Sequence, residues 1–263
     1  MTSQRGRSDS DDGGASDYYS HDIDPALLAE KLPDDVAPLT LHDVTKRYGA
    51  LDALRDVTFE VAPGEFHCLA GPNGSGKTTL GKIAAGLTRP TSGEAILPEQ
   101  SVGFGFQDPR FYPDLTVREN VAVFCETAAV SPESEWVTAI LSTLRLTQVD
   151  QQAASELSGG FKKKLDLAIA MLDAPPYLWL DEPLTDIDDV SVQRVVSLLE
   201  LYASAGGGVV VSTHNMAAFD DALTHLTAFL DGDSSDTAVL SDSESLSTEA
   251  LYQTLVDGLR SPA

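Results

Sequence analysis

Residues 71–78 constrain the fold of this chain more than any other feature. They read Gly71-Pro72-Asn73-Gly74-Ser75-Gly76-Lys77-Thr78, and they lie between an apolar run at 66–70 and a helical pattern that begins at Lys77. The spacing G-x-x-x-x-G-K-[ST], entered from a strand and left into a helix, is that of a phosphate cradle. Its glycines let the backbone wrap closely around phosphate oxygens, the loop N–H groups point inward, and the helix N-terminus adds partial positive charge. Lys77 is expected to reach the β- and γ-phosphates of a nucleotide, with Thr79 also among the nucleotide-binding candidates. The Thr78 hydroxyl is expected to bind Mg²⁺, a hard ion that prefers oxygen.

The charge balance narrows the partners. The 263 residues hold 17 Lys and Arg against 41 Asp and Glu, a formal charge of −24. Phosphate backbones must be met by a basic patch, so no nucleic-acid partner is expected. The nucleotide site is not compromised, because amides, Lys77 and a metal act within a few ångströms while distant charge is screened. With 42% hydrophobic residues, the chain has ample material for a core. Only seven lysines are present, and Lys162, Lys163 and Lys164 are consecutive, which reads as a solvated helix face. An Asp-rich, Lys-poor surface suits multi-molar salt, where self-repulsion is screened, and points to a salt-loving prokaryotic host. Cys68 and Cys125 are too few for a disulfide framework and suit a reducing cytoplasm. No run approaches the roughly 18–20 apolar residues that span a bilayer. Residues 1–12 lack the apolar core of a secretory signal, so no direct bilayer insertion is expected and any membrane role is peripheral.

Residues 1–37 carry nine acids against Arg5, Arg7 and Lys31, and read as an acidic disordered tail in which 23–32 could form a short helix. Beyond it, strand patterns fall at 39–44, 57–61, 66–70, 93–97, 102–106, 177–180, 208–212 and 226–230. Helical patterns fall at 77–87, after Thr116, after Ser131-Pro132, after Leu157, at 190–203 and after residue 212. Thr116-Val117-Arg118-Glu119 is a capping box. Ser131-Pro132 reads as a cap and first-turn proline ahead of Trp136, Ile140 and Leu144. This alternation argues an α/β domain with a parallel sheet over 38–231, a helical insertion at about 108–157, and a short acidic extension at 232–263.

Two further stretches carry chemistry. Tyr177-Leu178-Trp179-Leu180 is an apolar strand that runs into Asp181-Glu182. Beside a phosphate cradle, Asp181 can hold Mg²⁺ through water, and Glu182 can polarise a water for in-line attack on the γ-phosphorus. Leu157-Ser158-Gly159-Gly160 opens a helix on which Phe161, Leu165, Ala168, Ile169 and Leu172 share one face, with Lys162, Lys163, Lys164, Asp166 and Asp173 elsewhere. A Ser cap and two glycines leave N–H groups suited to an anion. One nucleotide has no obvious need of two such termini from one domain.

Together with Tyr48 after Thr45-Lys46-Arg47, Gln107 in Phe104-Gly105-Phe106-Gln107-Asp108, Asp188 and His214, these motifs stand in an order that resembles the nucleotide-binding domain of ATP-binding cassette (ABC) proteins over residues 38–231. The resemblance implies a P-loop NTPase core with a parallel sheet, an N-terminal antiparallel β subdomain and an inserted α-helical subdomain. It implies ATP and Mg²⁺ as ligands, with Tyr48 stacked on adenine. Gln107 would bind Mg²⁺ or the attacking water and link the site to the helical block, and His214 would touch the γ-phosphate. Ser158 and Gly160, within Leu157–Gly160, would contact the γ-phosphate of ATP held by a second subunit, with Asp188 at the dimer seam. The implied function is the ATP-hydrolysing subunit of a transporter, on the cytoplasmic face of the membrane. It would drive a separate integral-membrane permease docked near residues 109–126, in a manner closer to exporter-type subunits.

The sequence departs from the family pattern at several points. Phe161 stands where Gln is usual, Asp186 replaces a small residue or Gly, and the segment from Gly93 to Gln107 is short. Two alternatives stay open: a soluble ABC-type ATPase that assembles another complex, and a nucleotide-binding regulator of low turnover.

Overall fold

The computed structural model describes residues 23–33, 35–98, 102–234, 237–240 and 247–260. After helix α1 (Pro25–Lys31), β1 (Leu39–Tyr48) and β2 (Leu51–Val61) form an antiparallel hairpin, and β4 (Ser92–Ile96) adds to the other edge of β1. The second sheet holds β3 (Phe66–Ala70), β5 (Val102–Gly105), β6 (Tyr177–Asp181), β7 (Gly208–Thr213) and β8 (His225–Leu230). These five are parallel in the order β8-β3-β7-β6-β5. Two short antiparallel strands, β9 (Asp233–Ser234) and β10 (Ala238–Val239), pair with β8. Every residue of β3, β6 and β7 is buried, as central parallel strands covered on both faces must be.

The sheet faces two apolar layers. On one side Leu69, Tyr177, Trp179 and Val210 pack with Leu41, Phe59 and Val61 of the hairpin and with Leu80 of α2 (Lys77–Ala84). On the other lie α3 (Val117–Thr127), α4 (Glu135–Thr143), α5 (Gly159–Ala170) and α6 (Asp189–Ser204), around Trp136, Leu165, Leu178, Leu198 and Tyr202. Among the described residues no helix is long and apolar enough to cross a membrane.

Several boundaries differ from the sequence expectation, each for a local reason. The expected helix at 77–87 ends at Ala84, where Gly86 takes φ +68°. Ser131 does not cap α4. It closes a turn in which Ser134 N–H donates to the Ser131 carbonyl, and Ser134 Oγ accepts the Val137 amide as the cap. The capping box at Thr116 is formed in both directions. The helix expected after residue 212 is only a single 3₁₀ turn at Met216–Phe219.

The ends of the chain also differ. Of the expected tail, residues 1–22 lie outside the described residues, but Ile23, Leu28 and Leu32 are buried in the main core, so solvated chain does not extend to residue 37. Three apolar anchors, Leu28 in α1 with Ile23 and Leu32 flanking it, outweigh the acidic surroundings. In the expected C-terminal extension, α7 (Thr248–Arg260) packs on β8, with Leu251 and Val256 buried.

Candidate functional site

The phosphate loop follows from the meeting of a buried strand and a glycine that only this turn requires. At Gly76, the residue before α2, φ is +112°, and a Cβ there would lie 2.7 Å from the Ala53 carbonyl oxygen. The loop is pinned from behind. Gly232, after β8, donates to the Ser75 carbonyl at 3.0 Å and accepts the Arg55 amide at 2.8 Å. The result is a cleft of about 410 Å³ lined by Asn73, Gly74, Ser75, Gly76, Lys77, Thr78 and Thr79, with Tyr48 and Leu51 at its lip and Gln107, Asp181 and Glu182 across it.

Lys77 is buried, and its ammonium donates to the carbonyls of Gly71 at 2.7 Å and Pro72 at 3.0 Å. Burial lowers its pKa, while Glu182 and Asp181 oppose the shift. The cation is thus held in readiness inside the loop it serves. Thr78 Oγ1 donates to Asp181 Oδ2 at 2.6 Å, and Ser212 Oγ donates to Asp181 Oδ1. A threonine hydroxyl and a carboxylate, both hard oxygen donors beside a phosphate loop, fit Mg²⁺.

Glu182 has φ +49°, and its N–H donates to the Ser212 carbonyl at 2.8 Å, which turns its side chain out of the strand and into the cleft. The carboxylate is oriented by two groups of one segment. Thr213 Oγ1 donates to Oε2 at 3.3 Å, and His214 Nδ1 lies 2.8 Å from Oε1. His214 itself is 73% exposed and lies outside the cleft lining, so in the isolated chain its contact is with Glu182.

Leu157, Ser158, Gly159 and Gly160 do not line the cleft. Ser158 caps α5, its Oγ accepting the Phe161 amide at 3.4 Å, and both Ser158 and Gly159 are exposed. The glycines here answer to Asp186. A Cβ at Gly160 would lie 2.8 Å from the Asp186 carbonyl oxygen, and Asp186 has φ +63°. Asp188 caps α6 by accepting the Ser191 amide. The Phe161 ring lies under the Lys164 ammonium, which is 4.0 Å from its centroid.

The lysine triplet is not a solvated face. Lys163 and Lys164 are 6% and 5% exposed, and Asp166 is 4% exposed. Lys163 Nζ donates to the carbonyls of Phe106 at 2.8 Å and Asp181 at 3.3 Å. Asp166 accepts the amides of Phe106 and Arg110, each at 2.7 Å. One helical turn of α5 therefore brackets the loop that carries Gln107. Burial pushes the Asp166 carboxyl up to about 6, against the two amides and Lys163. Sequence reasoning missed this pair because their partners are backbone groups of a distant loop. It missed Ser212 as well, although that residue opens the Ser212-Thr213-His214 run.

The sequence model of the family described as "ABC transporter" matches residues 54–185. The chain is 36% identical over 190 residues to the aliphatic sulfonates import ATP-binding protein SsuB 1 of Xanthomonas axonopodis pv. citri, covering 68% of this chain and 75% of that one. It is 32% identical over 193 residues to the lipopolysaccharide export system ATP-binding protein LptB of Acidithiobacillus ferridurans, covering 68% and 80%. A solved dimeric cassette, MJ0796 in a post-hydrolysis state bound to ADP and Pi, superposes with a TM-score of 0.69 at 26% identity, over 77% of this chain and 98% of that one. A phosphate loop, a paired Asp and Glu, and this agreement in sequence and fold place the chain in the ABC transporter family, as an ATP-binding, ATP-hydrolysing subunit of the kind that dimerises and works with a membrane permease.

Proposed function

We propose that this chain hydrolyses ATP between two cassettes and thereby moves a separate permease. The observation that carries the proposal is the convergence of Lys77, Thr78, Asp181 and Glu182 in one cleft, whose lining does not include Leu157–Gly160. In this reading the loop amides and Lys77 hold the β- and γ-phosphates, and Tyr48 lies against adenine. Thr78, Gln107 and Asp181 would hold Mg²⁺, which when bound neutralises charge on the phosphate oxygens. Glu182 takes the proton of the attacking water as it adds to phosphorus and the bond to the ADP oxygen breaks. His214, in contact with Glu182 through Nδ1, would meet the γ-phosphate once ATP is present. Ser158 and Gly160 of a second cassette complete the site, with Asp188 at the seam, because the isolated chain keeps them out of its own cleft.

The permease would dock on the helical block, where α3 and α4 border a groove of about 450 Å³ whose lining mixes apolar Val121, Ala122 and Leu141 with charged Arg118, Glu133 and Asp150. That would hold the cassette on the inner face of the cell membrane. The relatives include one import and one export subunit, so the direction of transport does not follow from the cassette. The test is sedimentation of Glu182→Gln with MgATP in high salt. A nucleotide-dependent dimer is expected, and a chain that binds ATP yet stays monomeric overturns the two-cassette reading for copies of this chain.

A further inference from the structure

At the far end of β3 from the phosphate loop, three side chains converge that the nucleotide chemistry does not use. Glu65 and His67 are two residues apart where the chain enters β3, so their side chains share one face of the sheet. His225 opens β8 and is the register partner of His67, which puts its ring on the same face. The two imidazoles stack with centroids 4.3 Å apart and planes 7° from parallel. His67 Nε2 lies 2.9 Å from Glu65 Oε2, and His225 Nε2 lies 3.5 Å from Glu65 Oε1. From His67 to Gly71 the strand advances about 13 Å, so this cluster is separate from the ATP cleft.

Neighbouring groups orient the donors. Thr224 Oγ1 accepts the Phe66 amide at 2.8 Å and lies 3.1 Å from the Phe66 carbonyl oxygen. His225 Nδ1 lies 2.8 Å from the same hydroxyl, and in the tautomer with the proton on Nδ1 the Nε2 lone pair is free for a cation. Glu65 Oε2 accepts the Ala62 amide at 2.7 Å, which fixes the carboxylate beside the two rings. The His67 side chain is 2% exposed, while His225 and Glu65 retain 16% and 29%, so solvent reaches the cluster from one side.

We propose that Glu65, His67 and His225 form a binding site for a late first-row divalent cation such as Zn²⁺. Two imidazole nitrogens and a carboxylate suit Zn²⁺, Ni²⁺ or Cu²⁺ and not Mg²⁺, which takes oxygen ligands. At bond lengths of about 2.1 Å, tetrahedral donors stand about 3.4 Å apart. Glu65 Oε2 lies 2.9 Å from His67 Nε2 and Oε1 lies 3.5 Å from His225 Nε2, and one donor atom from each of the three residues falls within 4.8 Å of the others; the stacked rings must turn against each other for their in-plane lone pairs to meet at one ion. A water on the exposed side of Glu65 completes four ligands. When Nε2 of His67 binds, its proton must sit on Nδ1, a buried nitrogen with no hydrogen-bond partner among the described residues. This makes the site weaker than one whose histidines are each backed by an acceptor, and the expected affinity is micromolar. The ion ties together the first residues of β3 and β8, whose other ends carry the phosphate loop and its Gly232 clasp.

The test uses the full chain, stripped with chelator, free of nucleotide and held in molar KCl to screen surface carboxylates. Zn²⁺ is titrated by calorimetry, and Co²⁺ by visible absorption. One equivalent is expected with micromolar Kd, weakened at least about tenfold in both His225→Ala and Glu65→Gln, while their MgATP affinity stays that of the wild type. No binding by the wild type, or unchanged binding by either variant, overturns the proposal. The Co²⁺ spectrum is read on the wild type alone, so a variant that fails to fold does not remove the test. Bands of a four-coordinate nitrogen–oxygen site support the proposal, and the weak bands of oxygen-only coordination refute it.

Discussion

Replacing Asp166 with Ala tests whether a buried carboxylate holds the Gln107 loop in place. The folded-state value is pushed up to about 6 from 3.8, chiefly by burial, with the Phe106 and Arg110 amides and Lys163 only partly offsetting it. Its ionised form is therefore disfavoured in the folded chain by about 3 kcal/mol relative to the unfolded one. A raised folded-state value means the group's contribution to stability is fully present below about pH 4 and is lost as pH rises through about 6. Between about pH 7 and about pH 4.5 the wild type gains about 2 kcal/mol from this group, and the variant gains none of it. Urea unfolding of both chains at the two pH values, in the same KCl, should show the gap between them shift by that amount toward the wild type on acidification. The other carboxylates cancel in the difference. At either pH the loop loses two amide anchors, from Phe106 and Arg110. A displaced Gln107 should lower kcat roughly tenfold or more with little change in KM for ATP, since Lys77 and Thr78 are untouched. A gap independent of pH, together with an unchanged kcat, would show that Asp166 neither titrates on unfolding nor holds the Gln107 loop.

Other consequences follow from packing and charge. Leu28 is fully buried, so Leu28→Ala should destabilise the chain by about 2–5 kcal/mol in chemical denaturation, whereas a solvated tail would give no change. Phe161→Gln removes the ring beneath Lys164, a contact contributing about 1–2 kcal/mol where partly desolvated. It should leave MgATP affinity intact and raise turnover, and a fall in turnover would show that the phenyl ring serves the site.

The strand-to-loop and strand-to-carboxylate units were readable in sequence because their signals are local. Residues 66–78 and 177–182 each combine an unbroken apolar run with a terminus whose chemistry follows at once. Lys163 and Asp166 were not readable, since a helical wheel assigns charged residues to water. Their burial is decided by a loop more than 50 positions away that presents its amides and a carbonyl to them. The Glu182–His214 contact was hidden for a related reason: it depends on β6 and β7 being neighbours, which no local pattern encodes. Ser131 and Ser134 are equally good caps by type, and only the turn between them chooses the second.

If Glu182 acts on ATP held by residues 71–78, phosphate release at saturating MgATP depends on its carboxylate. The wild type should turn over, and Glu182→Gln should be slower by about a hundredfold or more with its ATP affinity retained. Equal rates in the two chains would show that Glu182 does not activate the attacking water.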